Sequence, residues 1–409
     1  MANVDLQNAK SSKKDEFYTQ YHDIENEING YLEFDENTFK DKIVLLPCDD
    51  PEWSNFTKYF AQNFEKLGLK KLISTSYAND SKEHIFEQLT MFEKSSEKFN
   101  KDITNSRGKI FTLSRRDNKE YINIDDLDWD YLDGDGDFRS EEVKKLRDEA
   151  DIIITNPPFS LFREFIAWIF EVKKQFLIIG NINAITYKEV FPLIKDNKIW
   201  TGLRFNQRIN GKNMTFLVPD TYEMKGTELY RDDEGRKFIS VAGTGWYTNI
   251  DHGRRHEPLP LMSMEDNLRY NNKLIKKLNS YGFDTYPTYD NYNAIEVPYV
   301  DGIPDDFDGV MGVPISFLNK YSPEQFEILG ATQRGCHDEV PDTKKYDDFW
   351  EVKQNGEKTG SKGGKTNENG NLKMNDGKHN YFLNKDGYTV QSVYQRIFIK
   401  HRRKYENRT

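Results

Sequence analysis

Apolar positions recur along this chain at two periods, and the periods predict where helices and strands lie. Over residues 15–32, Phe17, Tyr21, Ile24, Ile28 and Tyr31 fall at steps of four, three, four and three, the stripe of an amphipathic helix that Asp15 would cap. KIVLLPC at 42–48 is a continuous apolar run of strand length. Ser54 opens a second helix with Phe56, Tyr59, Phe60, Phe64 and Leu67 on one face, ended by Gly68. KKLISTSY at 70–77 is another strand. Strand, helix and strand in this order predict a βαβ unit and a parallel sheet.

The pattern resumes at 151–155, DIIIT, which runs into NPPFS. Ser160 would cap a helix carrying Phe162, Phe165, Ile166, Ile169 and Phe170, and FLIIG at 176–180 is a further buried strand. Residues 1–250 are therefore expected to form an α/β domain with a doubly wound parallel sheet. After about residue 250, turn residues and isolated aromatics dominate, as in SYGFDTYPTYDNYNAIEVPYV. Residues 251–409 are expected to form a second domain of mixed α+β type. Within it, 353–378 spaces Lys353, Lys358, Lys362, Lys365, Lys373 and Lys378 with glycines, the composition of a mobile basic loop. YQRIFIKHRRKYENR near the end alternates like a strand and then turns basic.

Composition narrows the class. A chain of 409 residues allows two or three domains, and 27 Phe with 23 Tyr supply core anchors. No run approaches the ~20 apolar residues that span a bilayer. MANVDLQNAKSSKKDE has no apolar signal region, so a cytoplasmic location is expected. Two cysteines, Cys48 and Cys336, make neither a disulfide scaffold nor a four-cysteine zinc site, and no metal is expected. The net charge of −10 argues mildly against nucleic acid as a partner, but a sum does not exclude one basic face.

Asn156-Pro157-Pro158-Phe159 is the most informative tetrapeptide. It follows a predicted strand and precedes a predicted helix, at the carboxyl end of the sheet, where α/β folds bind ligands. Two prolines make the turn rigid. A rigid turn can aim the Asn156 amide oxygen and the Pro157 carbonyl at one exocyclic amino group, freeing its lone pair from the ring for in-line attack. Phe159 offers a face on which a planar base can stack.

NPPF after an apolar strand resembles motif IV of the amino-group DNA methyltransferases that use S-adenosylmethionine. The wider context, PCDDPEWSNFTKYF, then DGDFRSEE, then ADIIITNPPFSLFREFI, is similar to the EcoRI-type adenine-specific DNA methyltransferase family. The similarity covers about residues 9–250 and continues through 309–331 into the terminal YQRIFIK. It implies a Rossmann-like methyltransferase sheet, a target-recognition domain in the second half, and a monomer acting on double-stranded DNA. By the same resemblance, DEFYT at 15–19, with Phe17, Tyr18 and Thr19, would hold the methionine part of the cofactor. Pro47, Cys48, Asp49 and Asp50 stand at the first cofactor motif, where a carboxylate would pair with the cofactor ammonium; the usual glycine-rich loop is absent. Asp137 and Phe138 match the motif that reads the cofactor adenine, the carboxylate accepting from its amino group and the ring packing on its face. No acidic residue follows the second strand, where Ser74, Thr75, Ser76 and Tyr77 stand instead.

Two motifs mislead. Asp133, Asp135 and Asp137 imitate a calcium loop, but its sixth position is Phe138 rather than Gly and its twelfth is Lys144 rather than Glu. Cys48 after Pro47 imitates the nucleophile of cytosine carbon-5 methyltransferases, yet attack by an amino nitrogen needs no covalent intermediate. Trp246 and Tyr247 are expected to fill the core. Arg204, Arg208 and Lys212, then Arg254, Arg255 and His256, then Lys400, Arg402, Arg403, Lys404 and Arg408, are basic groups that could together contact phosphates.

The resemblance thus implies transfer of a methyl group from S-adenosylmethionine to the N6 amino group of adenine in a specific duplex sequence. The target base is flipped out, Asn156, Pro157, Pro158 and Phe159 form the catalytic turn, and the nitrogen attacks directly. The alternatives are an RNA-adenine or protein-glutamine methyltransferase, since a planar amide resembles the edge of adenine, and a degenerate fold kept for binding DNA.

Overall fold

The computed structural model describes residues 18–51, 54–78, 103, 106–115, 129–205, 214–218, 228–233, 235–241, 243–333, 335–336 and 339–402. The chain divides into two units, one of Met1–Ala184 and Ile199–Gly253, the other of Ile185–Lys198 and Arg254–Thr409. Residues 185–198 therefore depart from a single cut near 250.

In the first unit the chain runs through β1 (Tyr18–Thr19), α1 (Tyr21–Phe34), β2 (Ile43–Leu46), α2 (Asn55–Gln62) and β3 (Lys71–Thr75). It continues through β4 (Lys109–Ser114), β5 (Trp129–Tyr131), α3 (Glu141–Glu149), β6 (Ile152–Thr155), α4 (Phe162–Glu171) and β7 (Gln175–Asn181). The short helix α5 (Phe191–Lys195) belongs to the second unit. The first unit resumes with β8 (Trp200–Phe205), β9 (Thr215–Leu217), β10 (Glu228–Arg231), β11 (Lys237–Ser240) and β12 (Thr244–Thr248).

Eight of these strands form one mixed sheet in the order β5-β4-β3-β2-β6-β7-β12-β8. The βαβ expectation is met: β2 lies parallel to β3 in the register Ile43 to Lys71, and β6 extends the parallel set between β2 and β7. β2 and β6 are buried along their whole length, as continuous apolar runs in a parallel sheet must be. β4 turns antiparallel on one side and β12 on the other. Ile24, Ile28 and Tyr31 of the predicted stripe are fully buried in a core shared with Phe56, Tyr59 and Phe60 of α2 and with Trp246. Trp246 fills this core, and Tyr247 is equally buried against Phe162 and Phe205, so both are interior, as expected.

Helix ends moved, at α1 because of tertiary pairing and at α2 and α4 for local reasons. The predicted helix at 15–32 starts at Tyr21, because Tyr18 and Thr19 pair as a strand with Leu217 and Phe216, far away in sequence. Asp15 lies outside the described residues. α2 stops at Gln62, where the Asn63 side chain bonds the Tyr59 carbonyl, before Gly68. Ser160 is not the cap of α4. The rigid Pro-Pro step needs a 3-10 turn, Phe159–Leu161, before the chain can enter α geometry at Phe162.

A buried carboxylate ties α1 to β8. Glu27 accepts from the Leu203 and Arg204 amides at 2.8 and 3.0 Å. Gly202 permits this approach, since a Cβ there would stand 2.3 Å from Glu27 Oε1.

The second unit adds helices α6 (Met264–Tyr270) and α7 (Asn272–Tyr281), then β13 (Ile295–Glu296), β14 (Met311–Pro314) and β15 (Phe326–Ala331). It ends with β16 (Trp350–Val352), β17 (Lys358–Lys362), β18 (Asn371–Leu372), β19 (Tyr381–Leu383), β20 (Thr389–Ser392) and β21 (Arg396–His401). These make two sheets, β13-β14-β21-β15 and β17-β16-β19-β20-β18. The strand expected in YQRIFIK is β21. The 353–378 stretch, expected as a mobile loop, instead carries β17 and β18. The buried Asn291 organises it, donating to Asn369 O at 2.8 Å and accepting from Asn371 N at 2.9 Å. Composition cannot show a hydrogen-bonding partner that lies some 80 residues upstream. Among the described residues no helix is long and apolar enough to cross a membrane.

Candidate active site

The motifs singled out in the sequence meet at one end of the eight-stranded sheet, where β2, β3 and β6 finish. Asp49, just past β2, is the hub. Its Oδ1 accepts from Ser54 Oγ at 2.6 Å and its Oδ2 from Thr155 Oγ1 at 2.7 Å. Its amide donates to Thr75 O at 2.9 Å, and its carbonyl accepts from Ser74 Oγ at 2.6 Å. Ser54 in turn caps α2 through the Phe56 amide. Asp49 thus fastens the PCDD turn through its carboxylate to the start of α2 and to the last residue of β6, immediately before Asn156, and through its backbone to the end of β3. Pro47 is buried in the turn and Cys48 is half-buried.

Burial pushes the Asp49 carboxyl up from 3.8 to about 7, against the hydrogen bonds from Ser54 and Thr155 that hold it down. A carboxyl raised in the folded state binds its proton more tightly there than in the unfolded chain. The stability it contributes is complete below the unfolded value and is lost as pH rises through about 7. Urea unfolding near pH 5 and near pH 8 should therefore show the protein more stable at the lower pH. Asp49→Asn, which cannot titrate, is expected to reduce that difference. An unchanged difference would assign it to other groups, Glu27 first, which burial also pushes up to about 7.

Asn156 is half-buried as a residue, and its Oδ1 is withdrawn from solvent. Pro157 is buried, Pro158 O accepts from the Leu161 amide at 2.9 Å, and Phe159 packs partly exposed on the rim of the core. Thr19 is brought to the same place. Its carbonyl accepts from Asn55 Nδ2 at the start of α2, at 2.7 Å. The hydroxyls of Thr19 and Thr75 are buried without a hydrogen-bond partner among the described residues. Tyr18 is in β1; Phe17 lies outside the described residues. Asp50 is buried, with Lys109 Nζ 3.7 Å from its Oδ2 and that ammonium lying 4.7 Å from the Trp129 ring centroid.

The DGDGD loop packs against the end of β3, where Ala78 N donates to Asp135 O. Gly136, at φ +79°, lies so close to Ser76 O that a Cβ would sit 2.1 Å from it. Asp137 reaches this region, but its carboxylate is engaged by Arg139 through Nε at 2.9 Å and Nη2 at 2.6 Å, which holds it below the usual carboxylate range. The expected ring of Phe138 on a ligand face is replaced by a core role. It is 5% exposed, packed edge-on against Phe165 and Trp168 and covered by the Arg139 guanidinium.

The family description "adenine-specific methyltransferase EcoRI" matches residues 5–402. This chain belongs to the EcoRI-type adenine-specific methyltransferase family. It is 44% identical over 324 residues to the type II methyltransferase M.EcoRI of Escherichia coli, covering 79% of this chain and 88% of that one. It is 34% identical over 324 residues to the type II methyltransferase M.MpnI of Mycoplasma pneumoniae, covering 78% and 83%. No solved structure matches it.

In this EcoRI-type methyltransferase, the hydroxyls around Asp49 are what motif reading missed. Ser54 was visible only as a helix cap, and Thr155 only as the end of a strand. Their signal is positional: Ser and Thr where two apolar strands and a helix start converge. Of the basic residues, Arg204 pairs with Asp23 at 3.3 Å, and Arg255 is buried and donates to Asn197 at 2.6 Å. Both therefore serve the fold. Arg208, Lys212, Arg403, Lys404 and Arg408 lie outside the described residues.

Proposed function

We propose that this chain transfers a methyl group from S-adenosylmethionine to the N6 amino group of adenine in a specific double-stranded DNA sequence, working as a monomer on a base turned out of the duplex. The observation that carries the proposal is the Asp49 hub, which joins the first cofactor motif rigidly to the residue before NPPF. The mixed sheet is read as Rossmann-like: strand order reverses between β2 and β6, and ligands bind α/β sheets at such a point. The second unit is assigned to target recognition, and the adenine specificity of the family favours a nucleic acid over a protein substrate.

The residues present suit the cofactor. Buried hydroxyls without partners are uncommon, and those of Thr19 and Thr75 flank the PCDD turn. With the turn backbone of Pro47 and Cys48 and the strand at Tyr18, they would hold the methionine and ribose groups. Asp50 is the better partner for the ammonium, because both carboxylate oxygens of Asp49 are already committed to Ser54 and Thr155. Asp137 would accept from the cofactor adenine by sharing its carboxylate with Arg139. Bound there, S-adenosylmethionine supplies an electrophilic methyl on its sulfonium.

The chain's part in the reaction is positioning. Asn156 Oδ1 and the Pro157 carbonyl would accept hydrogen bonds from the two N6–H groups, which favours a pyramidal nitrogen and directs its lone pair along the line of attack, one of these protons leaving to water as the new N–C bond forms. Phe159 stacks on the base and excludes water. Unstacking the base costs a few kcal/mol, offset by these contacts.

Long-read modification sequencing of DNA from a methylation-free host expressing this chain tests the proposal. N6-methyladenine at one short motif is the expected result. Unmodified DNA beside abundant soluble protein would overturn it.

A further inference from the structure

The second unit carries an open groove of about 800 Å³. Lys344 and Lys345 line one side of it, Lys373 another, and Tyr388 from the turn between β19 and β20 stands among them. Asp290 makes this a built site. The Tyr346 hydroxyl donates to Asp290 Oδ2 at 2.5 Å, the Tyr388 hydroxyl donates to Oδ1, and Lys344 Nζ lies 3.2 Å from Oδ2. The Asp290 amide is itself tied to Asn371 O at 2.8 Å. Tyr388 is thereby fixed in orientation, and its ring takes Lys344 Nζ at 3.6 Å and Lys373 Nζ at 5.1 Å from the centroid.

Charge accounting separates the three lysines. Lys344 is neutralised by Asp290. Lys345 and Lys373 are exposed and form no ion pair among the described residues. The two lining carboxylates, Asp348 and Asp386, pair with neither. An ordinary surface lysine roams, but the Lys373 ammonium is held against a fixed aromatic face. Lys373, held at the Tyr388 ring, and the exposed Lys345 are each left to meet a negative charge brought by a partner, and repeated negative charges meet both while staying clear of Asp348 and Asp386.

We infer that this groove seats the phosphodiester backbone of duplex DNA, with Lys345 and Lys373 each contacting a phosphate and the Asp290–Tyr388–Lys344 cluster holding the wall in place. The inference rests on the methyltransferase reading and extends it to the binding of the second substrate. Phosphate contacts set the register on the duplex and carry no sequence information of their own.

The test is binding of the full chain to long unmethylated duplex DNA over a range of salt concentrations. Each phosphate contact contributes about 0.9 to the slope of log affinity against log salt. Lys345→Gln and Lys373→Gln should each lower the slope by about one, and together by about two, with equal weakening on target and unrelated duplexes. Lys345→Arg and Lys373→Arg keep the charge and should restore the slope, which separates loss of a contact from a folding defect. Cofactor affinity of the DNA-free protein should not move. An unchanged slope in the double Gln variant, while the parent binds and methylates DNA, overturns the groove assignment alone. A loss confined to the target sequence, with the slope intact, also overturns it. A parent that neither binds nor methylates DNA overturns the methyltransferase reading itself.

Discussion

Asn156→Ala is expected to lower methyl transfer by about 10³-fold while leaving cofactor affinity unchanged. Removing one preorganised hydrogen-bonding group from a water-excluded site costs about 10²–10³ in rate. Asn156 should lie at the upper end, because its oxygen is buried and the residue before it is anchored to Asp49 through Thr155. The alanine leaves the Pro157 carbonyl as sole acceptor for the amino group, which is then free to stay conjugated with its ring. Single-turnover transfer to a duplex containing the target isolates this step from product release, and calorimetry on the DNA-free protein reports the cofactor site. A variant that transfers methyl at the parent rate would remove Asn156 from the mechanism. A variant that binds neither substrate would show a structural role instead.

Arg396→Met is expected to destabilise the second unit by about 3–5 kcal/mol, the usual cost of leaving a buried charge without its partner. Glu296 is 0% and Arg396 6% exposed. The guanidinium reaches the carboxylate through Nη2 at 2.6 Å and Nε at 3.0 Å, and Tyr289 donates to the same carboxylate. Arg396 begins β21, the strand between β14 and β15, so the pair sits beside the middle of its sheet. Amide exchange in β14 and β21 is the measure, since these strands should lose protection together. Pairing the change with Glu296→Leu should recover most of the loss, because an apolar pair of similar volume has no charge to desolvate. A loss below about 1 kcal/mol in the single variant would show that the fold does not depend on this pair.

The two predictions mark different depths of legibility. Asn156 was readable because NPPF is contiguous and both neighbouring elements announce themselves: an apolar run of strand length before it, an amphipathic stripe after it. The Glu296–Arg396 pair was not, because nothing local to either residue distinguishes it from a surface charge. Asp49 lies between. Its place after a strand marked it as a candidate, but only the folded chain shows it bound to Ser54 and Thr155 as the hub of the turn. Phe138 shows the opposite error. An aromatic beside an acidic motif looked like a ligand face, and Phe165 and Trp168, contributed by α4, took that face for the core.

Alone, the order of residues determined the βαβ start, the buried parallel strands, the NPPF turn at a strand end and membership in a methyltransferase family. These rest on side-chain period and on contiguous motifs, both set by neighbours within a few residues. Tertiary structure decided where α1 begins, that Asp49 is bound by Thr155, and that the lysine-rich 353–378 stretch forms strands. It also set two lysines against the Tyr388 ring. Each of these depends on a partner tens to hundreds of residues away, such as Leu217 for Tyr18 or Asp290 for Tyr388. A hydrogen bond or buried charge takes its energy from the group opposite and the water excluded, and the chain must fold before either exists.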